Sequence, residues 1–210
     1  MTGSLTVAVV LAAGSGTRFI GSTHKLLSVA QGRPVYHWAI ESAIEASIGP
    51  VLVVTGKTPL PLDFAFSDQA QASIAKWGLP HSINNSNWST GMASSVQSAV
   101  QFAASLGAEA VVIGLADQPC VPPSAWQRVA SSTSPLAVAT YDTKRGNPVK
   151  LHAEMWSHLP TSGDEGARNL LRSHHQLVSE VSCIGSAIDI DTIEDLEQAS
   201  KLIVESRRIV

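Results

Sequence analysis

Leu5-Thr-Val-Ala-Val-Val-Leu-Ala-Ala-Gly-Ser-Gly-Thr-Arg18, with Lys25 a short way beyond, is the stretch on which the fold turns. Its first half, Leu5–Leu11, is a nearly unbroken run of Val, Leu and Ala, the pattern of a strand covered on both faces. Its second half is small and glycine-rich. Small residues let backbone N–H groups come close to a ligand, and successive N–H groups in a tight turn form a nest for an anion. Arg18 adds a planar fork for phosphate oxygens and Lys25 a movable point charge. A strand running into such a turn predicts the first βα unit of an α/β sheet, with a ligand site at the strand's carboxyl end. The plainer reading of the same residues is a tight connection flanked by two solvated cations. No Gly-Lys-Ser/Thr follows at the spacing of a Walker A loop, and Phe19 stands where a dinucleotide fingerprint needs a third small residue.

Outward from this stretch, apolar β-rich runs alternate with helical patterns. A helix is predicted from Pro34 through Ile48, stopped by Gly49-Pro50, and a second buried strand over Val51–Val54. Asp68–Trp77 reads as a helix and Leu79–Ile83 as a short strand, with a polar loop over Asn84–Thr90. A helix from about Gly91 to Leu106 leads into the strand Ala110–Leu115. Pro122 and Pro123 open another helix, to about Ser131, and Leu136–Tyr141 is again a strand. Further on, Asn147–Leu151 reads as extended, Asp164–Ser173 as helical, Leu177–Val181 and Ala187–Ile190 as strands, and Thr192 to about Ser206 as an amphipathic helix. There is no repeat and no linker, so residues 1–210 are read as one doubly wound α/β domain with a mostly parallel sheet.

Composition narrows the partners. The formal charge is −3 and the Lys and Arg residues are scattered, which argues against a nucleic-acid partner because phosphate-backbone affinity needs clustered cations. The run Leu5 to Ala13 is too short to span a membrane and lacks a basic flank. Two cysteines far apart, in no metal spacing, make a reducing cytoplasm the expected compartment.

Several polar residues are candidates for chemistry. Asp117, just after the strand Ala110–Leu115, stands where a carboxylate can hold Mg²⁺, and where it can equally cap a turn before Pro119 and Pro122. Asp189 and Asp191 alternate on a predicted strand, so only one of them is expected to face a site. Asp191 also precedes the last helix and is a candidate cap for it. Ser94 and Ser95, near a helix N-terminus, are candidates for anion binding or for capping. Arg145 and Asn147 flank Gly146 between two extended segments, as acceptor contacts or as part of a hairpin turn. Asp164 is a further helix-cap candidate, with Arg168 free to face an anion. Trp88, alone among the tryptophans, lies in a polar loop and is a candidate for stacking on a flat ligand.

Taken together, Leu11-Ala-Ala-Gly-Ser-Gly-Thr-Arg18 with Lys25, Gly91-Met-Ala-Ser-Ser95, Leu115-Ala-Asp-Gln-Pro119, Arg145-Gly-Asn-Pro-Val149, Gly163-Asp-Glu-Gly-Ala-Arg168 and Asp189-Ile-Asp-Thr192 resemble, in this order, the nucleotidyltransferases of GT-A-like Rossmann fold, and among them the molybdenum cofactor cytidylyltransferases. The resemblance implies a Mg²⁺-dependent transfer of a nucleotidyl group from a nucleoside triphosphate to a molybdopterin-type acceptor. It implies nucleotide contacts from Leu11, Ala12, Ala13, Gly14, Ser15, Gly16, Thr17, Arg18, Lys25, Ser94 and Ser95. Arg18, Lys25 and Asp117 would be catalytic, Asp117 and Asp191 metal ligands, and Arg145, Asn147, Asp164 and Arg168 acceptor contacts. Leu-Ala-Ala-Gly, where the guanylyl members often read Leu-Ala-Gly-Gly, implies CTP rather than GTP. The six residues between Arg18 and Lys25 exceed the spacing common in the molybdenum-cofactor members, which leaves the acceptor less determined. Transient contact with a molybdoenzyme or its chaperone is implied as well. A nicotinamide-dependent oxidoreductase using the same turn is the alternative from another class.

Overall fold

The structure, a computed structural model, describes residues 4–16, 19–21 and 23–208. In chain order the elements are β1 (Thr6–Ala12), β2 (Val29–Ala30), β3 (Arg33–Pro34), α1 (Val35–Glu45), β4 (Val51–Thr55), α2 (Asp68–Trp77), β5 (His81–Asn84) and α3 (Met92–Ser105). They continue with β6 (Ala110–Leu115), α4 (Pro123–Ala130), β7 (Leu136–Tyr141), β8 (Lys144–His152), α5 (Arg168–Ser173), β9 (Val178–Ser182) and α6 (Ile193–Arg208). Seven strands form one sheet in the order β5-β4-β1-β6-β8-β7-β9. Every pairing is parallel except those of β8, which runs antiparallel to both β6 and β7. The expected single α/β domain with a mostly parallel sheet is therefore the fold observed.

β1 lies at the centre because both of its faces are apolar. Ala8, Val10 and Ala12 enter a core under α1 and α4, while Val7, Val9 and Leu11 enter the opposite core under α3. Val7, Val9 and Val10 are fully buried, and each contributes about 1.5–3 kcal/mol of apolar burial. A polar residue at any of these positions would face one core or the other without a partner.

A third, smaller core joins the end of the chain to its beginning. Ala30, Val35, Trp38, Ile190, Ala199 and Ile203 pack together, so α6 lies against the β2–β3 hairpin and the start of α1. This docking carries the segment before α6 back to the carboxyl end of the sheet.

Two predicted elements differ. Residues 187–190 are not a strand: the Ile190 N–H donates to the Asp117 carbonyl at 3.0 Å, and the Ala187 carbonyl accepts from the Gln118 side chain, in place of a ladder. The helix expected over Asp164–Ser173 begins only at Arg168. Gly163 and Gly166, with φ of 100° and 53°, hold a turn there that no right-handed helix contains. Among the described residues no helix is long and apolar enough to cross a membrane.

Candidate active site

From β1 the chain builds outward through β4 to β5, then returns to place β6 on the other side of β1. That reversal opens a crevice beyond the carboxyl ends of β1 and β6, the place where open α/β sheets bind ligands. The Ala116 N–H donates to the Leu11 carbonyl at 2.9 Å and keeps the two strand ends together. A cavity of about 620 Å³ lies above them, within the size range of small-molecule sites. Leu11, Ala12, Ala13, Gly14, Ser15 and Gly16, the described part of the glycine-rich stretch, line it. Thr17 and Arg18, also expected there, lie outside the described residues.

Lys25 reaches this cavity from a 3-10 turn, Lys25–Leu27. Leu26, buried in the core under α1, anchors the turn and leaves the Lys25 stem directed at the strand ends. Its Nζ donates to Asp117 Oδ2 at 2.6 Å and to Asp191 Oδ1 at 2.9 Å. The three side chains are 11%, 18% and 29% exposed, so the contacts are screened less than surface pairs. Burial by itself would lower the lysine pKa, but the two carboxylates more than offset it and hold the value above the ordinary lysine range. Two carboxylate oxygens converging on one cation form a hard-donor pair suited to Mg²⁺, which takes one or two carboxylates and completes its shell with water and phosphate oxygens. Among the described residues no group of three or more His, Cys, Asp or Glu could hold a metal by itself.

Asp191 does not cap α6. Thr192 and Asp195 exchange bonds in a capping box: the Thr192 N–H and hydroxyl donate to Asp195 Oδ2 at 2.8 Å each, and the Asp195 N–H donates to the Thr192 hydroxyl at 3.1 Å. The Asp191 carboxylate is left to face Lys25. The alternation expected of Asp189 and Asp191 also fails, because residues 187–190 are not extended in a sheet, and both carboxylates line the cavity. Asp189 Oδ1 accepts from Gln118 Nε2 at 2.9 Å, while Gln118 Oε1 accepts from Asn147 Nδ2 at 3.1 Å. Partial burial, then the neighbouring Asp117 and Asp191 charges, push the Asp189 pKa up.

The other wall of the cavity comes from Trp88, Ser89, Gly91, Met92 and Ser95 on one side and from Asp164 and Arg168 on the other. A Cβ on Gly91 would stand 2.4 Å from the Gly163 carbonyl carbon, and the Gly163 carbonyl accepts from the Ala93 N–H at 2.9 Å. The start of α3 and the Asp164 segment therefore touch backbone to backbone at Gly91 and Gly163. Ser94 is absent from the wall: its Oγ accepts from Asn85 at 2.8 Å and reaches the Asn87 and Gly91 carbonyls, which ties down the loop before α3. Two expected acceptor contacts are also absent. Arg145 lies on β8 and pairs at 2.8 Å with the exposed Glu180 of β9, and Asn147 meets Gln118 beneath the site. Asp189, Gln118 and Met92 were not among the predicted site residues. Asp189 was misplaced by the strand assignment, and no local pattern distinguishes Gln118 or Met92 from neighbouring polar and apolar residues.

Comparison with known proteins adds a family likeness. Residues 8–178 match the family model of the MobA-like NTP transferase domain. The purine catabolism protein PucB of Bacillus subtilis is 28% identical over 201 residues, spanning 93% of this chain and 96% of PucB. Among solved structures, Rv0371c of Mycobacterium tuberculosis has a TM-score of 0.73 at 24% identity, covering 96% of this chain and 100% of that one. The same protein has been solved in complex with manganese, with a TM-score of 0.69 at 22% identity, covering 94% and 99% of the two chains. A nucleotidyl transferase from Methanothermobacter thermautotrophicus, Mth528, has a TM-score of 0.76 at 19% identity, covering 97% and 100%.

Proposed function

Because this chain belongs to the family of MobA-like NTP transferase domains, and is thus a nucleotidyltransferase, we propose that it transfers the nucleotidyl group of CTP to the terminal phosphate of a molybdopterin-type acceptor. The observation that carries this reading is the convergence of Lys25, Asp117 and Asp191 at the end of the glycine-rich turn. An oxygen of the acceptor phosphate attacks the α-phosphorus in line with the bond to the β-phosphate. A new P–O bond forms as that bond breaks, and pyrophosphate leaves. The acceptor phosphate is already an anion, so no side chain has to remove a proton or act as a nucleophile.

The residues of the chain then bind and orient. The backbone N–H groups of residues 13–16 receive the triphosphate, and Lys25, on a flexible stem, offsets charge on the leaving pyrophosphate; Arg18 is proposed to assist it. Asp117 and Asp191 are the residues to hold a divalent cation, Mg²⁺ in this proposal, and Rv0371c in complex with manganese supports expecting one. Held there, a divalent cation would supply Lewis-acid charge to offset the negative charge that develops on the phosphate oxygens. Ser95 and Trp88 fall on the nucleoside side of the reading, Asp164 and Arg168 on the acceptor side. Positioning and electrostatics carry the rate, as in other transfers at phosphorus.

Pyrophosphate release from CTP, with Mg²⁺ and molybdopterin present, is the test. Turnover is expected for the wild type and loss of it for Asp117→Ala and Asp191→Ala. Normal turnover by either variant would remove the assigned site. Ala13 favours CTP, and GTP in the same assay decides the base: faster release with GTP would make the chain a guanylyltransferase.

A further inference from the structure

His24 immediately precedes Lys25 and is not part of the cavity wall. Its two ring nitrogens face different elements. Nδ1 accepts from the Leu26 N–H at 3.3 Å and so caps the 3-10 turn that carries Lys25. Since Nδ1 is the acceptor, the neutral ring carries its hydrogen on Nε2. Nε2 is buried and, among the described residues, has no partner within hydrogen-bond geometry. It lies against the glycine-rich turn: a Cβ on Gly16 would stand 2.8 Å from Nε2. Burial lowers the pKa of the ring, and the backbone carbonyls of Gly14 and Ser15, which already lie near it without a well-formed bond to Nε2, raise it in part. A buried donor without a well-placed acceptor is rare in native proteins, so it calls for an explanation.

The geometry of a peptide group supplies one. N–H and C=O point in opposite directions across each peptide plane. When the amides of the turn point into the cavity toward an anion, their carbonyls point out of its far side, where His24 stands. We propose that His24 is a positioning residue for the triphosphate: Nδ1 holds the Lys25 turn, and Nε2–H takes a carbonyl of the Gly14–Gly16 turn once phosphate draws the amides inward. One rigid ring then sets the separation between the turn amides and the Lys25 ammonium. The glycine at position 16 is required because the ring occupies the space of a side chain there. This inference rests on the nucleotidyltransferase reading and adds to it a residue that acts through the turn rather than on the substrate.

Two variants separate the two ends of the ring. His24→Asn keeps an acceptor at the Nδ1 position, and asparagine is a favourable cap, so the Lys25 turn is preserved while the Nε2 donor is lost. His24→Ala loses both. In pyrophosphate-release kinetics, His24→Asn is expected to raise KM for the triphosphate about three- to tenfold, with a smaller fall in kcat, the effect of one lost neutral hydrogen bond. His24→Ala is expected to lower kcat as well, through displacement of Lys25. An unchanged KM in His24→Asn, with its unfolding temperature intact, would overturn the inference. Ring ¹⁵N spectra of the wild type, assigned by difference from His24→Asn, give a readout independent of turnover. They are expected to show the Nε2–H form and a shift of Nε2 on titration with inorganic pyrophosphate. No shift overturns the inference. A clear shift in a protein that releases no pyrophosphate from any nucleoside triphosphate supports the inference and overturns the transferase reading instead.

Discussion

Lys25 is held by two carboxylates at once, and its behaviour with pH follows from that. Its pKa in the folded protein lies above the ordinary value, because Asp117 and Asp191 outweigh the effect of burial. The stabilisation from this pairing is therefore complete below the unfolded lysine value of about 10.4, and is lost only as pH rises through the higher folded value. An alkaline loss of activity below the lysine range would have to come from another group, which a pH–rate profile of pyrophosphate release can show. Lys25→Ala is expected to lower kcat by roughly 10²–10³, the usual cost of one preorganised charge donor, and Lys25→Arg should not restore it, because a planar fork cannot take the place of a point charge between two carboxylates. Asp189 has the opposite sign. Its folded pKa is raised, so the ionised carboxylate destabilises the protein above the unfolded aspartate value, and the penalty disappears below it. Asp189→Asn keeps an acceptor for Gln118 and removes the repelling charge. Solvent reaches this residue, so the expected gain is small, about 1–2 °C in Tm near neutral pH, vanishing on acidification.

At the scale of elements, two glycines of the cavity make opposite predictions. A Cβ on Gly14 would meet nothing within 4 Å among the described residues, so Gly14→Ala should leave Tm unchanged and raise KM, since the approach of a ligand is obstructed. A Cβ on Gly91 would collide with the Gly163 backbone, so Gly91→Ala should lower Tm by several degrees and impair turnover by parting α3 from the Asp164 segment. Thermal melts beside kinetics distinguish the two. The elements legible in the sequence were those with a local cause. α2, β6 and β7 occupy the residues their periodicity and flanking breakers predict. The stretch 187–190 has the composition of a strand but is held by Gln118 and by the Asp117 carbonyl, partners about seventy residues distant that leave no trace in local pattern. The late start of α5 was partly legible, since Gly163 and Gly166 are the breakers that shorten it.

For the whole molecule, the proposed reaction predicts linkage between ligand and stability. A triphosphate at one hundred times its Kd adds about 2.7 kcal/mol, which for a chain of this size is roughly 5–10 °C in Tm. CTP with Mg²⁺ is expected to give such a shift, and CTP with EDTA much less of one. EDTA alone should abolish turnover and leave the melting curve of the free protein unchanged, because Lys25 already compensates Asp117 and Asp191. The sheet, its mostly parallel strands and the glycine-rich turn after β1 were legible from residue order, since apolar runs and small residues act through local geometry and through burial on both faces. The sequence also marked Lys25, Asp117 and Asp191 as a set, by their resemblance to a family of transferases. That Asp191 faces Lys25 while Thr192 caps α6, that Asp189 joins the cavity, and that Arg145 and Asn147 lie away from its wall follow from contacts between distant segments. The placements of Asp189 and Asp191 depend on α6 docking onto the β2–β3 hairpin, with Ile190, Ala199 and Ile203 in one core. That packing spans most of the chain, and a reading confined to neighbouring residues contains no term for it.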